Sequence, residues 1–95
     1  MLGHAGDGNM HPTVVFDADD PEQSRRAQAA FDRIMEAGLE LGGTITGEHG
    51  VGMLKRDWLH QEIGPVGIAV HREIKAAMDP DNILNPGKVV ALGEL

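Results

Sequence analysis

The sequence contains no cysteine and no tyrosine, and it has only one tryptophan and two phenylalanines in 95 residues. Without cysteine, disulfide bonds and thiolate metal ligands are excluded, so any metal ion must be bound by imidazole and carboxylate groups. Because aromatic rings are so few, the core must be built from aliphatic side chains. A chain of this length predicts one small domain, or part of one, with a thin core.

Positive charge is also scarce. Eight Lys and Arg residues stand against fifteen Asp and Glu residues, which gives a net charge of −7 and a pI near 5.0. A chain without a basic stripe cannot neutralise phosphate groups, so nucleic acid and anionic membrane surfaces are disfavoured as partners. No apolar run approaches the roughly 20 residues that cross a bilayer, and no charged and apolar leader precedes Gly3. We therefore expect a soluble, cytoplasmic protein without membrane insertion.

Two amphipathic helices are predicted. The first begins with Asp20 as N-cap, Pro21 at the first helical position and Gln23 reaching back as in a capping box. It ends at Gly42 and Gly43. Its apolar stripe comprises Ala27, Ala30, Phe31, Ile34, Met35 and Leu41.

The second helix is predicted from Pro65 to Met78, after a short helical turn over Lys55–Gln61 and a break at Gly64 and Pro65. Asp79 and Pro80 end it. Its apolar stripe comprises Val66, Val70, Ile74, Ala77 and Met78. The turns that follow, over residues 81–88, are expected to direct Ile83 and Leu84 inward and to lead into a short apolar tail.

One strand is predicted over Pro12–Phe16, where β-branched residues follow a proline and precede an acidic cluster. Together with the two helices, it predicts an α+β fold with the two functional loops described below on one side of the helices. A strand on its own leaves backbone groups unpaired, so we expect it, together with the helix stripe through Phe31 and Met35, to pair with a second copy in a homodimer.

The first functional loop sets His4 and His11 at the two ends of a stretch that contains Gly6, Asp7 and Gly8. If the stretch were extended, its seven residues would span roughly 23 Å, too far for both rings to bind one ion. Glycine and aspartate allow the chain to reverse there, which would bring the imidazoles together. The alternative is a surface turn whose histidines contact only water.

The second functional loop, Gly47–Gly52, has glycine at half of its positions and carries Glu48 and His49. Two imidazoles and one carboxylate form an open site for zinc and similar divalent metals, so His4, His11 and Glu48 are candidate ligands. His49 is a candidate general base. It could equally be a solvent-exposed loop imidazole.

Other interpretations of these histidines and glycines have less support. His60 and His71 lie in helical segments without partner residues, which favours structural roles. The glycine-rich runs lack the Lys-Ser/Thr that follows a phosphate-binding loop.

Three blocks of sequence, in this order, resemble the C-terminal end of FAD-linked oxidases of the vanillyl-alcohol-oxidase superfamily. They are His4–His11, then Gly43–Gly52 with Lys55, then Ile74–Lys75 and Asp79–Lys88. The most similar group contains the glycolate oxidase FAD-binding subunit, D-lactate dehydrogenase and D-2-hydroxyglutarate dehydrogenase. The blocks cover nearly the whole chain.

The resemblance implies that His4, His11 and Glu48 bind a divalent metal, zinc being the first candidate, and that His49 is the catalytic base. It places a substrate contact at position 13, where the family often has Asn and this chain has Thr13. Residues 1–95 would then be a C-terminal segment of the substrate-binding domain of a flavin-dependent D-2-hydroxy-acid dehydrogenase. FAD would be bound by a flavin-binding domain or subunit outside these residues, and no FAD-binding residue is assigned here.

An alternative function belongs to another class. The chain could be a stand-alone, non-catalytic module that keeps the family's turns as a scaffold and serves metal binding or oligomerisation. In either case we expect the isolated chain to lack oxidase activity, because neither a pyrophosphate loop nor an arginine clamp for the substrate carboxylate occurs in its sequence.

Overall fold

A computed structural model describes residues 1–90 of the chain, which form two compact units. The first unit, Met1–Gly43, contains a two-stranded hairpin and helix α1, and the second begins at Thr44 and contains helix α2. This confirms the α+β class with two main helices. Residues 91–95, most of the predicted apolar tail, lie outside the described residues. Within residues 1–90, no helix has the length and apolar character needed to cross a bilayer.

The strands lie within the first functional loop itself. Strand β1 (Leu2–His4) and strand β2 (Asn9–His11) are antiparallel and are joined by a 3-10 turn over Ala5–Asp7. The prediction of a strand over Pro12–Phe16 is wrong, since those residues pair with no strand in the described part of the chain. The ladder ends at His11 because the next residue, Pro12, has no backbone N–H to donate.

Helix α1 (Pro21–Glu40) begins where its local signals predict. The Asp20 carboxylate accepts hydrogen bonds from the backbone N–H groups of Glu22, at 3.0 Å, and Gln23, at 3.4 Å. The Gln23 side chain, however, accepts from the backbone N–H of Asp17 at 2.9 Å. It does not close a capping box, because the N–H of Asp20 already donates to the carbonyl of Asp17.

The end of α1 is a Schellman motif at the predicted glycine pair. Gly42 donates its N–H to the carbonyl of Leu39 and Gly43 to that of Gly38, at 3.0 and 2.8 Å. Burial along the predicted stripe is partial. Ala27 is buried, whereas Phe31, Ile34 and Met35 are half-buried and Ala30 and Leu41 are exposed.

Helix α2 (Arg56–Met78) is kinked at Gly64, whose φ of 71° and ψ of 178° are not helical. The kink confirms the predicted break before Pro65, but the first half is a helical segment longer than the predicted single turn. The predicted apolar stripe of α2 lies on an exposed side of the helix. The buried residues of α2 are Leu59 and Ile68, and the stripe residues Val66, Val70, Ile74, Ala77 and Met78 are exposed. Periodicity identifies an apolar face, but tertiary contacts decide which face is covered.

The segment after α2 is organised around a buried carboxylate. Asp79 accepts hydrogen bonds from the backbone N–H groups of Ile83, at 3.1 Å, and Leu84, at 2.9 Å, and from the ammonium of Lys75. The prediction that Ile83 and Leu84 point inward is wrong, because they are 75% and 61% exposed. The chain turns there to satisfy Asp79.

Candidate functional site

The hairpin places His4 and His11 on the same face. In the antiparallel register, His4 is opposite Asn9 and Leu2 is opposite His11, while Gly3 and Met10 form the pair between them. Directly opposed residues share a face, so the two histidines are diagonal neighbours, with Cα atoms about 7–8 Å apart. Diagonal neighbours are within reach of long side chains. The hairpin therefore supplies the reversal that the glycine-rich stretch predicts.

Gly3 allows the two strands of the hairpin to approach closely. A Cβ atom at this position would lie 2.4 Å from the Asn9 carbonyl oxygen and 2.8 Å from the Met10 Cα atom. Its φ of +156° is also one that residues with a side chain rarely adopt. Any larger residue would push the strands apart and change the spacing of His4 and His11.

Thr13, the predicted substrate contact, lies beside one of these histidines. Its hydroxyl oxygen is 3.4 Å from Nδ1 of His11, and both residues are exposed. A polar partner on one ring nitrogen of a metal-binding histidine orients the imidazole ring and selects its tautomer. Within this structure, Thr13 is therefore placed to orient His11.

Glu48 and His49 are presented to solvent by a tight turn. The N–H of Gly50 donates to the carbonyl of Gly47 at 3.3 Å, and the Thr46 hydroxyl donates to the Gly50 carbonyl at 2.7 Å. The side chains of Glu48 and His49 are 79% and 63% exposed, with Oε1 and Nε2 3.7 Å apart. The turn thus directs both groups toward a common region, as a site built from adjacent residues requires.

The four candidate ligand and base residues form two local pairs. His4 and His11 belong to the first compact unit, and Glu48 and His49 belong to the second. Among residues 1–90, no three His, Asp or Glu residues gather into a group that could hold a metal ion. The donor types of the His4–His11 pair nevertheless fit a divalent metal such as zinc.

The two remaining histidines have structural surroundings. Nδ1 of His71 lies 2.8 Å from the Gly67 carbonyl in its own helix. His60 is half-buried, and its Nε2 atom has no hydrogen-bond partner in the described part of the chain. Neither lies in the two functional loops, and the structural roles expected for them stay a prediction.

Sequence reasoning missed two side-chain interactions at the two ends of α2. Arg56 donates from Nη1 to the Gly87 carbonyl at 2.8 Å, and Lys75 pairs with Asp79. The Lys75–Asp79 spacing of four residues at a helix end is a signal that could have been used. Arg56 and Gly87 are 31 residues apart, and nothing in the local sequence indicates their contact.

The hydrogen bonds around Asp79 affect the pKa of its carboxyl group. Its hydrogen bond from Lys75 and those from the backbone of Leu84 and Ile83 lower the pKa of its carboxyl group, against the opposing effect of burial. Asp79 is therefore a charged, structural carboxylate.

Comparison with known proteins gives the same family over almost the whole chain. Residues 1–89 match the family described as FAD linked oxidases, C-terminal domain. The chain is 52% identical over 90 residues to the glycolate oxidase subunit GlcD of Bacillus subtilis, which covers 95% of this chain and 19% of that protein.

Two further relatives are named as D-lactate dehydrogenases. The chain is 44% identical over 92 residues to a probable mitochondrial D-lactate dehydrogenase of Danio rerio, covering 97% of this chain and 18% of that protein. It is 43% identical over 89 residues to the mitochondrial D-lactate dehydrogenase [cytochrome] of Kluyveromyces lactis, covering 94% of this chain and 15% of that protein. The chain thus spans less than a fifth of the length of these relatives.

Proposed function

Because this chain belongs to the family of FAD-linked oxidase C-terminal domains, we propose that it is the substrate- and metal-binding segment of a flavin-dependent D-2-hydroxy-acid dehydrogenase or oxidase. The observation that carries the proposal is the match over residues 1–89, in which the two functional loops lie. The substrates named for the relatives, glycolate and D-lactate, are both small 2-hydroxy acids, which defines the substrate class proposed for this chain.

His49 is the proposed catalytic base. Oxidation of a 2-hydroxy acid to the 2-oxo acid removes the hydroxyl proton and transfers a hydride from Cα. An exposed imidazole on a glycine turn can approach a substrate hydroxyl and accept its proton. FAD, bound outside this chain, supplies the hydride acceptor of the overall reaction.

His4 and His11 are the proposed metal ligands of the hairpin, with Glu48 as the third ligand that the family resemblance assigns. Support comes from the register of the hairpin, which sets both imidazoles on one face. A divalent ion, zinc in the first instance, would supply Lewis acidity toward the substrate hydroxyl. Thr13, at 3.4 Å from the His11 ring, would hold that ring in one orientation.

Metal analysis of the purified chain tests the ligand assignment. We expect about one Zn²⁺ per chain after dialysis near neutral pH, with less bound as the pH falls, because a protonated imidazole cannot be a ligand. His11→Ala and Glu48→Gln should each lose the ion. His71→Ala is the matched control, since His71 contacts a carbonyl of its own helix. Equal zinc content in His11→Ala and wild type would contradict the proposed site.

A further inference from the structure

The Glu48–His49 turn lies between two fixed points. Before it, the N–H of buried Ile45 donates to the Glu62 carboxylate of α2 at 2.8 Å. After it, the Gly52 carbonyl accepts from the N–H of Val89 at 2.7 Å. Both ends of the turn are thus held by residues that are distant in sequence, so the conformation of the turn itself decides where its side chains point.

The Gly52 end of the loop is held by a turn, Asn85–Val89, that has no role in the proposed chemistry. The segment Asn85–Val89 bonds the second loop through Val89 to Gly52, and it bonds the start of α2 through the Gly87 carbonyl, which accepts from Arg56. It supports the loop without contributing a side chain to it.

Between the two fixed points, the Thr46 hydroxyl spans the turn. It donates to the Gly50 carbonyl at 2.7 Å, so it joins the residue before the turn to its last residue, with Glu48 and His49 between them. The backbone bond from Gly50 to Gly47 is longer, at 3.3 Å. Glycine at positions 47 and 50 gives this backbone wide conformational freedom, and the hydroxyl restricts it.

We propose that Thr46 is a positioning residue, whose hydroxyl holds the Gly47–Gly50 turn in the conformation that presents His49 to the substrate. The inference rests on the proposed function for the role of His49, and on the hydrogen bond alone for the dependence of the turn on Thr46. Thr46 contacts no reacting atom and acts through the backbone of Gly50. Displacement of a base by about 1 Å is enough to slow a proton transfer substantially.

The test compares Thr46→Val, which keeps the shape and removes the hydroxyl, with Thr46→Ser, which keeps the hydroxyl. In the ¹⁵N-labelled full chain, heteronuclear NOE values at the Glu48, His49 and Gly50 amides should fall in Thr46→Val and return in Thr46→Ser. Amides of α1 should be unchanged in both variants. If valine perturbs the fold, Thr46→Ala takes its place, because alanine also lacks the hydroxyl and is smaller. The heteronuclear NOE values at the same three amides should then fall in Thr46→Ala.

Turnover separates this inference from the function on which it rests. In the oxidase that contains this segment, Thr46→Val should lower kcat roughly 10- to 100-fold with little change in KM, and Thr46→Ser should restore it. Unchanged loop NOE values and unchanged kcat in Thr46→Val would overturn the positioning role. A loss of loop order in Thr46→Val, together with normal turnover in His49→Gln, would instead overturn the proposed role of His49 as the catalytic base and keep the dependence of the turn on Thr46.

Discussion

Among single residues, His49 carries the greatest part of the proposed chemistry. If it accepts the hydroxyl proton, then His49→Gln in the oxidase should lower kcat at least about 100-fold, the range typical for loss of a general base. Steady-state turnover of glycolate and D-lactate with a dye acceptor measures the effect. His71→Gln provides the matched control on an exposed histidine outside both loops. An unchanged kcat in His49→Gln would remove this residue from the mechanism.

Asp79 gives the chain a pH-dependent contribution to stability. Its pKa is lowered in the folded state by Lys75 and by the backbone of Leu84 and Ile83. A carboxyl group with a lowered folded-state pKa stabilises the fold above its unfolded-state pKa, near pH 4, and that stabilisation is lost as the pH falls through the folded-state value. Asp79→Asn should therefore lower Tm at pH 7, and its difference from wild type should shrink below about pH 4.

Thermal melts of both proteins across the acid range check this sign. Asp81→Asn serves as the control, because it removes an equal charge from an exposed side chain two residues away. A Tm difference for Asp79→Asn that stays constant from pH 7 to pH 3 would show that the carboxylate of Asp79 contributes through packing alone.

For the secondary-structure elements, the N-cap of α1 offers a local test. Asp20 accepts hydrogen bonds from the N–H groups of Glu22 and Gln23, which would otherwise lack partners within the helix. Asp20→Ala should destabilise the chain by about 1 kcal/mol and lower Tm by about 4–8 °C. Thermal unfolding followed by circular dichroism measures the shift. Asp19→Ala removes the same charge without removing the cap, so an equal shift in both variants would assign the effect to charge.

The elements that sequence could predict are those with local causes. The start of α1 follows from Asp20 and Pro21, and its end from Gly42 and Gly43, because each of these residues acts within one turn of its own position. The reversal between His4 and His11 is equally local, and so is the exposed Glu48–His49 turn.

The remaining features depend on contacts that no local pattern contains. The exposure of Val66 and Ile74 reflects which side of α2 is covered, and the burial of Asp79 reflects a turn that closes on it. Arg56 reaches Gly87 across 31 residues. In the candidate site, each pair of residues was predictable, whereas the supporting hydrogen bonds that fix the second loop were not.

At the scale of the whole molecule, residues 1–90 expose more large apolar side chains than they bury. The buried apolar residues in the described part of the chain are Ala27, Ile45, Leu59 and Ile68. Four large side chains on α2 remain exposed at a spacing of four residues, at Val66, Val70, Ile74 and Met78. That spacing places them along one side of the helix, and contiguous apolar patches of this kind are uncommon on stable monomers.

Because Pro12–Phe16 forms no strand that a second copy could pair with, we expect the 95-residue chain on its own to self-associate through this side of α2 instead, with a homodimer as the smallest product. The net charge of −7 opposes contact between two copies, so raising the salt concentration should increase the apparent mass by screening the repulsion. Association held by ion pairs would show the opposite salt dependence. Sedimentation velocity at micromolar concentration in low and high salt distinguishes the two.

Substitutions in the exposed apolar stripe of α2 test whether two copies of the chain meet through it. Val70→Lys and Ile74→Lys together should yield a monomer, since each places a charge within the apolar patch, and desolvating an unpaired charge is costly. Gln61→Lys adds a positive charge at an exposed position of α2 outside the stripe and should leave the mass unchanged. If the wild-type chain sediments as a monomer in high salt, or if the double variant sediments like wild type, this side of α2 is not the surface through which two copies meet.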